Sequence, residues 1–340
     1  MRKFLLAVFM VVLSAPLWAA GTLNVYFIDT EGGQSTLFVS PSGQTMLVDT
    51  GNDNPLGRDP RRIVASAKKA GVTRIDYMVI THYHGDHVGG LPVLAKLLPI
   101  TNFVDHGPCI ETSAGMKALY SAYVQVRDNR DKGDYILAKP GDRIPISGID
   151  VEVLTSAGQG ITSPLAGAGA PNPFCAGVER HAVDTGENAQ SVGTLITYGK
   201  FRIIDLGDLT WNKEMELACP NNQIGTVDVY LSTHHGLDFS NCPAIVHALH
   251  PRVAIVNNGE RKGGAPGALK TIRSSPGIED VWQLHYSRNV SVEENTPAQY
   301  IVNIDDDLPA SWIELDAQAN GQFTVTNSRN GMTKTYPPKD

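Results

Sequence analysis

Seven consecutive residues, Thr81-His82-Tyr83-His84-Gly85-Asp86-His87, set three imidazoles and a carboxylate within six positions. Neutral imidazole nitrogens and carboxylate oxygens are ligands of Zn2+ and similar divalent ions, and Gly85 lets a tight turn bring alternate side chains to one centre. His82 and His84, two apart, can share one ion, while Asp86 and His87, adjacent on the turn, can point to a second ion nearby. A ligand-free polar turn is the competing reading, but ordinary turns draw on Gly, Asn, Asp, Pro and Ser and seldom gather histidines. A water held by two such ions deprotonates near neutral pH, because a bound metal lowers its pKa from 15.7 to about 7. The expected nucleophile is therefore a metal-bound hydroxide attacking a carbonyl carbon or a phosphorus, oriented by a site carboxylate such as Asp86, with no serine or cysteine nucleophile required.

The elements around this cluster must deliver it to a common edge. Apolar segments Leu23–Ile28, Ser35–Val39 and Thr45–Val48 read as a β-meander leading into Asp49-Thr50-Gly51. Asp59-Pro60 opens a helical pattern that Gly71 closes, the apolar strand Ile75–Ile80 feeds Thr81-His82, and a helix is expected from about Val88 to Leu98. Strand, turn and helix recur at Asn102–Val104 and Ser113–Val126, which indicates an α/β architecture. Residues 156–187 are rich in Gly, Ala and Pro and read as a loop insertion that could overhang the site. A hairpin, Gly193–Tyr198 with Phe201–Ile204, then leads to Asp205-Leu206-Gly207-Asp208. Further units follow: strand Val227–Leu231 into Ser232-Thr233-His234-His235-Gly236, helix Pro243–Leu249, strand Val253–Val256, helix Ala265–Ser274 and strand Val281–Leu284. The tail carries strands near Tyr300–Ile304, Ser311–Leu315 and Gln322–Thr326, the last two joined at Asn320-Gly321.

The His-x-His-x-Asp-His motif after an apolar strand resembles that of the metallo-β-lactamase superfamily, and the likeness covers roughly residues 23–290. It implies a four-layer αββα sandwich and two Zn2+ ions, other divalent metals being alternatives. Asp49-Thr50-Gly51 resembles the upstream Asp-Thr-Gly whose Asp supports the metal site, Gly207-Asp208 the downstream Gly-Asp whose carboxylate bridges both ions, and His234-His235-Gly236 the late histidine motif. The metal set implied is His82, His84, Asp86, His87 and Asp208 with His234 and His235, and either Asp86 or Asp208 would orient the hydroxide. One of that last pair binds metal and the other touches substrate or a supporting carboxylate. Within the superfamily, Phe27-Ile28-Asp29, Gly32-Gly33-Gln34-Ser35, Asn188-Ala189-Gln190-Ser191 and Val227-Asp228-Val229 resemble the hydrolase domain of ComEC-type competence proteins and the phosphorylcholine esterases. Asn188 stands where a ligand histidine is common in the wider family. The chain departs from that branch at positions 31–34, which read Glu-Gly-Gly-Gln, at 263–266, which read Gly-Gly-Ala-Pro, and in lacking a multi-span channel, so a DNA-uptake role does not carry over.

Other residues admit two readings each. His106, at the exit of strand Asn102–Val104, lines the site or caps a turn, and His285 has the same claim after Val281–Leu284. Asp49, His106, Asn188 and His285 are thus candidate supports or substrate contacts. His181 reads as a solvated loop residue or a lid, His247 and His250 as structural, and Asp205 as facing away from Asp208. The turn Arg261-Lys262-Gly263-Gly264 is either a solvated basic turn or an anion holder at a helix start.

Composition limits the function. Arg2 and Lys3, the apolar run Phe4–Leu13 and small residues to Ala20 read as a signal peptide over residues 1–20, cleaved after Ala19 or Ala20. Its ten apolar residues fall short of the roughly 20 that span a bilayer. No later segment does better, so a periplasmic or secreted protein with no membrane span is expected. Removing Arg2 and Lys3 takes the net charge from −7 to −9, which argues against long nucleic acid as a partner. Residues 21–340 are expected to form one domain with the insertion at 156–187 and a β-rich tail. Four cysteines, Cys109, Cys175, Cys219 and Cys242, show no Cys-x-x-Cys spacing and allow from none to two disulfides, with Cys219 and Cys242 a candidate pair. The expected function is an exported, dinuclear-metal hydrolase acting on a small or short phosphodiester or related ester. A β-lactam or lactone hydrolase is the alternative within enzymes, and a non-catalytic metal- or ligand-binding protein the alternative outside them.

Overall fold

The computed structural model describes residues 21–304 and 311–339; the expected signal peptide lies outside them. No helix among the described residues is long and apolar enough to cross a membrane. The first half runs β1 (Thr22–Phe27), β2 (Thr36–Val39), β3 (Thr45–Val48), α1 (Arg58–Lys69), β4 (Ile75–Val79), α2 (Gly85–Val88), α3 (Leu91–Leu97), β5 (Ile100–Asp105), α4 (Ala114–Asp128) and β6 (Tyr135–Leu137). The second half runs β7 (Arg143–Ile144), β8 (Asp150–Ser156), β9 (Gln159–Gly160), β10 (Gly193–Tyr198), β11 (Phe201–Asp205), α5 (Trp211–Ala218), β12 (Val229–Leu231), α6 (Pro243–Leu249), β13 (Val253–Val256), α7 (Pro266–Arg273), β14 (Asp280–His285) and β15 (Ile301–Asn303). β16 (Ile313–Gln318), β17 (Phe323–Asn327) and β18 (Thr333–Tyr336) complete it.

Two sheets result, one ordered β18-β17-β16-β1-β2-β3-β4-β5-β6 and the other β15-β14-β13-β12-β11-β10-β8-β7 with β9 on β8. Alternation along the strands sends one set of side chains between the sheets and the other set outward. Val25, Phe27, Phe38, Val48 and Val79 meet Val153, Ile196, Ile203, Val229 and Trp282 in the central core. The opposite faces pack on helices: Tyr26, Leu37, Leu47 and Met78 against Ile63 of α1, Leu94 of α3 and Tyr123 of α4, and Leu195, Ile204 and Tyr230 against Met215 of α5, Ile245 of α6 and Leu269 of α7. Strands buried on both faces read as near-continuous apolar runs. The layers are α, β, β, α, as the sequence motifs imply.

The structure corrects three expectations. The helix expected over 88–98 is two helices, because the Gly89-Gly90 break passes against neighbouring backbone; a Cβ on Gly89 would lie 2.2 Å from Gly85 O and 2.4 Å from Asp53 N. Second, β6 to β9 were not expected; only β9 falls wholly within residues 156–187, which are otherwise irregular apart from the short turn Pro173–Cys175 and the start of the one at Glu187–Gln190. Third, Cys219 pairs with Cys175 rather than Cys242, while Cys242 is buried and free and Cys109 is free. The insertion folds back along α5, where Asn172 Nδ2 donates to Ala218 O (3.0 Å) and to Ala244 O (2.8 Å) and brings Cys175 to the end of that helix. The tail hairpin β16–β17 adds to the first sheet beside β1, with Val25 opposite Leu315. Tyr336 of β18 accepts from Trp282 Nε1 (3.1 Å) and so ties the tail to the other sheet; truncating a buried aromatic such as Trp282 costs about 3–5 kcal/mol.

Candidate metal centre

β3–β4–β5 run parallel in one sheet and β11 to β15 run parallel in the other. The C-terminal ends of β3, β4, β11 and β12 meet along one edge, the place where open α/β sheets hold ligands. β3 is followed by Asp49, whose backbone is left-handed (φ 60°) and whose N–H donates to Val79 O (2.9 Å). β4 runs out into Thr81-His82, and the short α2 winds Asp86 and His87 inward. Val192 N donates to Thr81 O (2.9 Å), which ties the exits of the two sheets together, and His234 N donates to Gly207 O (3.0 Å), which ties the exits of β11 and β12 within the second sheet.

β12 exits through a turn in which both His234 (φ 55°) and His235 (φ 56°) are left-handed. Such conformations cost of order 1–3 kcal/mol per residue and persist only where neighbours hold them. Here Thr233 N donates to Tyr230 Oη (3.1 Å) and Asn241 Nδ2 to Thr233 O (2.9 Å), while Gly264 N donates to His235 O (2.9 Å) and Ala265 N to Gly236 O (2.8 Å). The strained turn swings two successive imidazoles toward Asp208.

One ligand atom from each of Asp86, His87, Asp208 and His235 lies within 4.8 Å of the others. His235 Nε2 is 3.2 Å from Asp86 Oδ2 and 3.3 Å from Asp208 Oδ1, and His87 Nε2 is 3.4 Å from Asp86 Oδ2 and 3.2 Å from Asp208 Oδ2. His82 Nε2 and His84 Nδ1 converge beside this group at 3.0 Å, with His82 Nε2 3.9 Å from Asp208 Oδ2. Asp208 therefore stands between the two pairs the sequence singles out. His234 Nε2 also reaches Asp208 Oδ2 (3.2 Å), its Nδ1 lying 3.2 Å from Ser240 Oγ.

The donor set fits a divalent ion. Imidazole nitrogens with carboxylate oxygens are zinc chemistry. Moreover, Asp208 Oδ1 is buried with no hydrogen-bond partner among the described residues, although three imidazole nitrogens crowd its carboxylate. A buried acceptor left so is costly unless a cation takes it. Burial opposes charge on Asp86 and Asp208, but His87 and His235 beside each hold both carboxyls well below the usual carboxylate range. For His87 burial again works against charge and the three carboxylates Asp208, Asp86 and Asp49 overcome it, raising its pKa well above the ordinary value. Burial, then the neighbouring His87, pushes His82 well down, and burial pushes His234 down to about 4.

Behind the candidate ligands stands a layer that orients their imidazoles. Asp49 Oδ2 meets His87 Nδ1 (2.6 Å) and accepts from Thr81 Oγ1 (2.6 Å), and its Oδ1 accepts from Thr81 N (2.8 Å). That fixes His87 with Nδ1 outward and Nε2 toward the cluster, the supporting place the sequence assigns to Asp49. Glu111 does the same for His84, with Oε1 3.3 Å from Nε2 while Nδ1 faces His82. Sequence reasoning missed Glu111, since nothing in Cys109-Ile110-Glu111 marks it. Glu111 Oε1 also accepts from Glu187 N (3.2 Å), joining the end of the insertion to the site.

Two expected site residues lie apart from the cluster. His106 is buried, with Nε2 2.7 Å from Glu187 Oε1 and its ring against Tyr83 (4.7 Å), so it braces the turn from behind. His285 Nε2 lies 2.5 Å from Asp29 Oδ1, a carboxylate also paired with Arg62 (2.8 Å), at the neighbouring strand exit. Asn188 sits in the turn Glu187–Gln190 with Oδ1 buried and without a hydrogen-bond partner among the described residues. Asp205 is directed elsewhere, both its oxygens accepting from Gln34 Nε2 (3.0 and 2.9 Å). His181 is exposed and stacks on Trp211 at 4.0 Å, and His247 meets Thr271 O (3.1 Å) on the far side of α6.

Residues 29–179 match the family model described as the metallo-beta-lactamase superfamily. Among curated proteins, an atrochrysone carboxyl ACP thioesterase of Aspergillus terreus is 31% identical over 67 residues, 20% of this chain and 20% of that protein. The lactamase-like protein notP of an Aspergillus species is 34% identical over 67 residues, again 20% of each. The aligned segment thus spans about a fifth of the length of these relatives. Among solved structures, zinc-bound PqqB from Methylobacterium extorquens is 14% identical with a TM-score of 0.41, covering 69% of this chain and 89% of that one.

Proposed function

We propose, from the match of residues 29–179 to the metallo-beta-lactamase superfamily model, that this chain is an exported metal-dependent hydrolase of a small or short phosphodiester or related ester. The observation that carries the reading is the convergence of Asp86, His87, Asp208 and His235 within 4.8 Å, with His82 and His84 meeting at 3.0 Å beside them. His82 and His84 would hold one divalent ion and Asp86, His87 and His235 another, with Asp208 between them and zinc the metal the donors suit. Bound there, the ions would supply an activated water near neutral pH and polarise the substrate oxygen under attack. The carboxylates of Asp86 and Asp208 are kept ionised by the imidazoles around them and can accept a proton or orient water at the cluster. His234, fixed through Nδ1 by Ser240, presents Nε2 beside Asp208, where it can contact substrate. Export rests on the residue pattern over 1–20 and on the Cys175–Cys219 disulfide, a bond that persists in oxidising compartments.

A carboxylic ester or thioester is the second reading. The curated relatives include proteins named as thioesterases, and Phe239, 57% exposed, stands edge-on 5.5 Å from the His234 ring, an apolar contact suited to an acyl or aryl group. The test is an assay of the mature protein on bis-p-nitrophenyl phosphate, p-nitrophenyl butyrate, nitrocefin and linear DNA, with metal counted per chain. EDTA-sensitive turnover of the first substrate with two ions per chain is expected. Faster turnover of the butyrate favours the second reading, nitrocefin cleavage a β-lactamase, and absence of any EDTA-sensitive turnover a non-catalytic binding protein.

A further inference from the structure

Lys262 joins the site from a turn that the reading above does not use. Its Nζ contacts Asp86 Oδ2, the same oxygen that faces His87 Nε2 (3.4 Å) and His235 Nε2 (3.2 Å). The ammonium is thus bound to a carboxylate that belongs to the candidate metal set. Two positive groups cannot share that oxygen at no cost, so a divalent ion held by Asp86, His87 and His235 competes with Lys262 for it.

The lysine cannot go far when it yields. Gly259 N donates to Lys262 O (2.8 Å), which closes a tight turn. Its stem lies against Gly32, where a Cβ would come within 2.9 Å of Lys262 Cβ. The next residue, Gly263 (φ 74°), runs against the metal-site turn so closely that a Cβ would lie 2.0 Å from His235 O. The backbone of this turn is therefore locked to the β12 exit, and only the flexible end of the side chain is free to rotate. Nearby carboxylates already have arginine partners: Glu31 pairs with Arg58 (3.1 Å) and Arg62 (3.0 Å), and Glu260 pairs with Arg288. Neither Glu31 nor Glu260 therefore offers an unpaired carboxylate to an ammonium released from Asp86.

We propose that Lys262 is the internal counter-ion of Asp86 that yields to the metal and then binds the anionic group of the substrate, a phosphoryl or carboxylate oxygen next to the scissile bond. The inference rests on the metal-hydrolase reading and sharpens it, because it selects esters with a negative charge over neutral ones. The basic turn that the sequence leaves open between solvated and anion-holding then has a role through one side chain.

The test uses Lys262→Met, which keeps the stem and removes the charge, and Lys262→Arg, which keeps the charge. Zinc affinity is read by competition with a chromophoric chelator, and inorganic phosphate affinity of the zinc-loaded protein by calorimetry. Lys262→Met should bind the weaker zinc ion about fivefold more tightly, the scale of a partly exposed ion pair, and phosphate about tenfold more weakly. Lys262→Arg should stay within about threefold of the wild type on both, and it also serves should the methionine variant fail to fold, an outcome in which an arginine protein with wild-type zinc affinity but no phosphate binding overturns the proposal. Unchanged zinc affinity in Lys262→Met, or tighter zinc with unchanged phosphate binding, likewise overturns it. A wild type that takes up no zinc refutes the metal reading itself, a result distinguishable from either.

Discussion

Asp49→Asn isolates the layer behind the ligands. The Asp49 carboxylate accepts from Thr81 N (2.8 Å) and Thr81 Oγ1 (2.6 Å) and meets His87 Nδ1 at 2.6 Å. Asparagine keeps the shape but turns one oxygen into a donor. If its NH2 replaces Oδ2, His87 must present Nδ1 as an acceptor and carry its proton on Nε2, which removes the lone pair that faces Asp86, Asp208 and His235. If the NH2 replaces Oδ1, it opposes the Thr81 N–H, and a buried donor without an acceptor costs about 1–3 kcal/mol. Loss of a carboxylate behind a ligand histidine lowers metal affinity or activity by about 10–100-fold, or about 1.4–2.7 kcal/mol. Chelator competition at pH 7 should show that loss at the ion held by His87 and much less at the ion held by His82 and His84. Urea unfolding of metal-free protein separates the structural cost. A folded Asp49→Asn protein whose zinc affinities both stay within about threefold of the wild type would refute the reasoning.

Three further outcomes follow from the same geometry. Glu111→Gln should weaken the ion shared by His82 and His84 by about tenfold, because Glu111 Oε1 sets His84 from 3.3 Å; a cobalt-loaded spectrum unchanged at one equivalent and lost at two would register it. Glu214 is fully buried, accepts from Cys242 N (2.8 Å) and Asn241 N (3.1 Å), and is pushed up to about 7 by burial. A carboxyl raised above its unfolded value near 4.3 contributes stability that is complete below that value and lost as pH rises through about 7, roughly 4 kcal/mol in all. Urea unfolding between pH 4 and 8 should therefore fall less steeply in Glu214→Gln than in the wild type, and parallel curves would contradict the assignment. Replacing Cys175 and Cys219 by serine opens a loop of 44 residues, which chain entropy values at about 4 kcal/mol with measured effects of about 2–5; a melting temperature indifferent to reductant would show that the insertion is held by α5 alone.

Much of the architecture was legible because its signals are local. β1 to β5 and β10 to β14 appear within a residue or two of their expected places, since strands buried on both faces are apolar runs that turn residues interrupt. β6 to β9 and β18 were not legible: β6, β7, β9 and β18 are only two to four residues long, lie at sheet edges and are half exposed. The break at Gly89-Gly90 is not legible as one, because it depends on backbone from residues 50–53, distant in sequence, pressed against the two glycines.

At the site the same division holds. Residue type and spacing alone mark His82, His84, Asp86 and His87 as candidate ligands, because six positions of one turn share their geometry with little help from elsewhere. Asp208 and His235 lie more than a hundred residues away in sequence and reach the cluster only because strand ends of two sheets share one edge. The sequence could pair Cys219 with its nearer neighbour in the chain, whereas folding the insertion along α5 puts Cys175 there instead. Glu111, Ser240 and the contact of Lys262 with Asp86 depend on how loops from different layers pack, which no local pattern encodes. The chain by itself thus determined the chemistry available, an imidazole and carboxylate centre for divalent metal. Tertiary structure decided which groups orient it and which cation competes for it, because hydrogen-bond direction and charge act over a few ångströms of space and not along the chain.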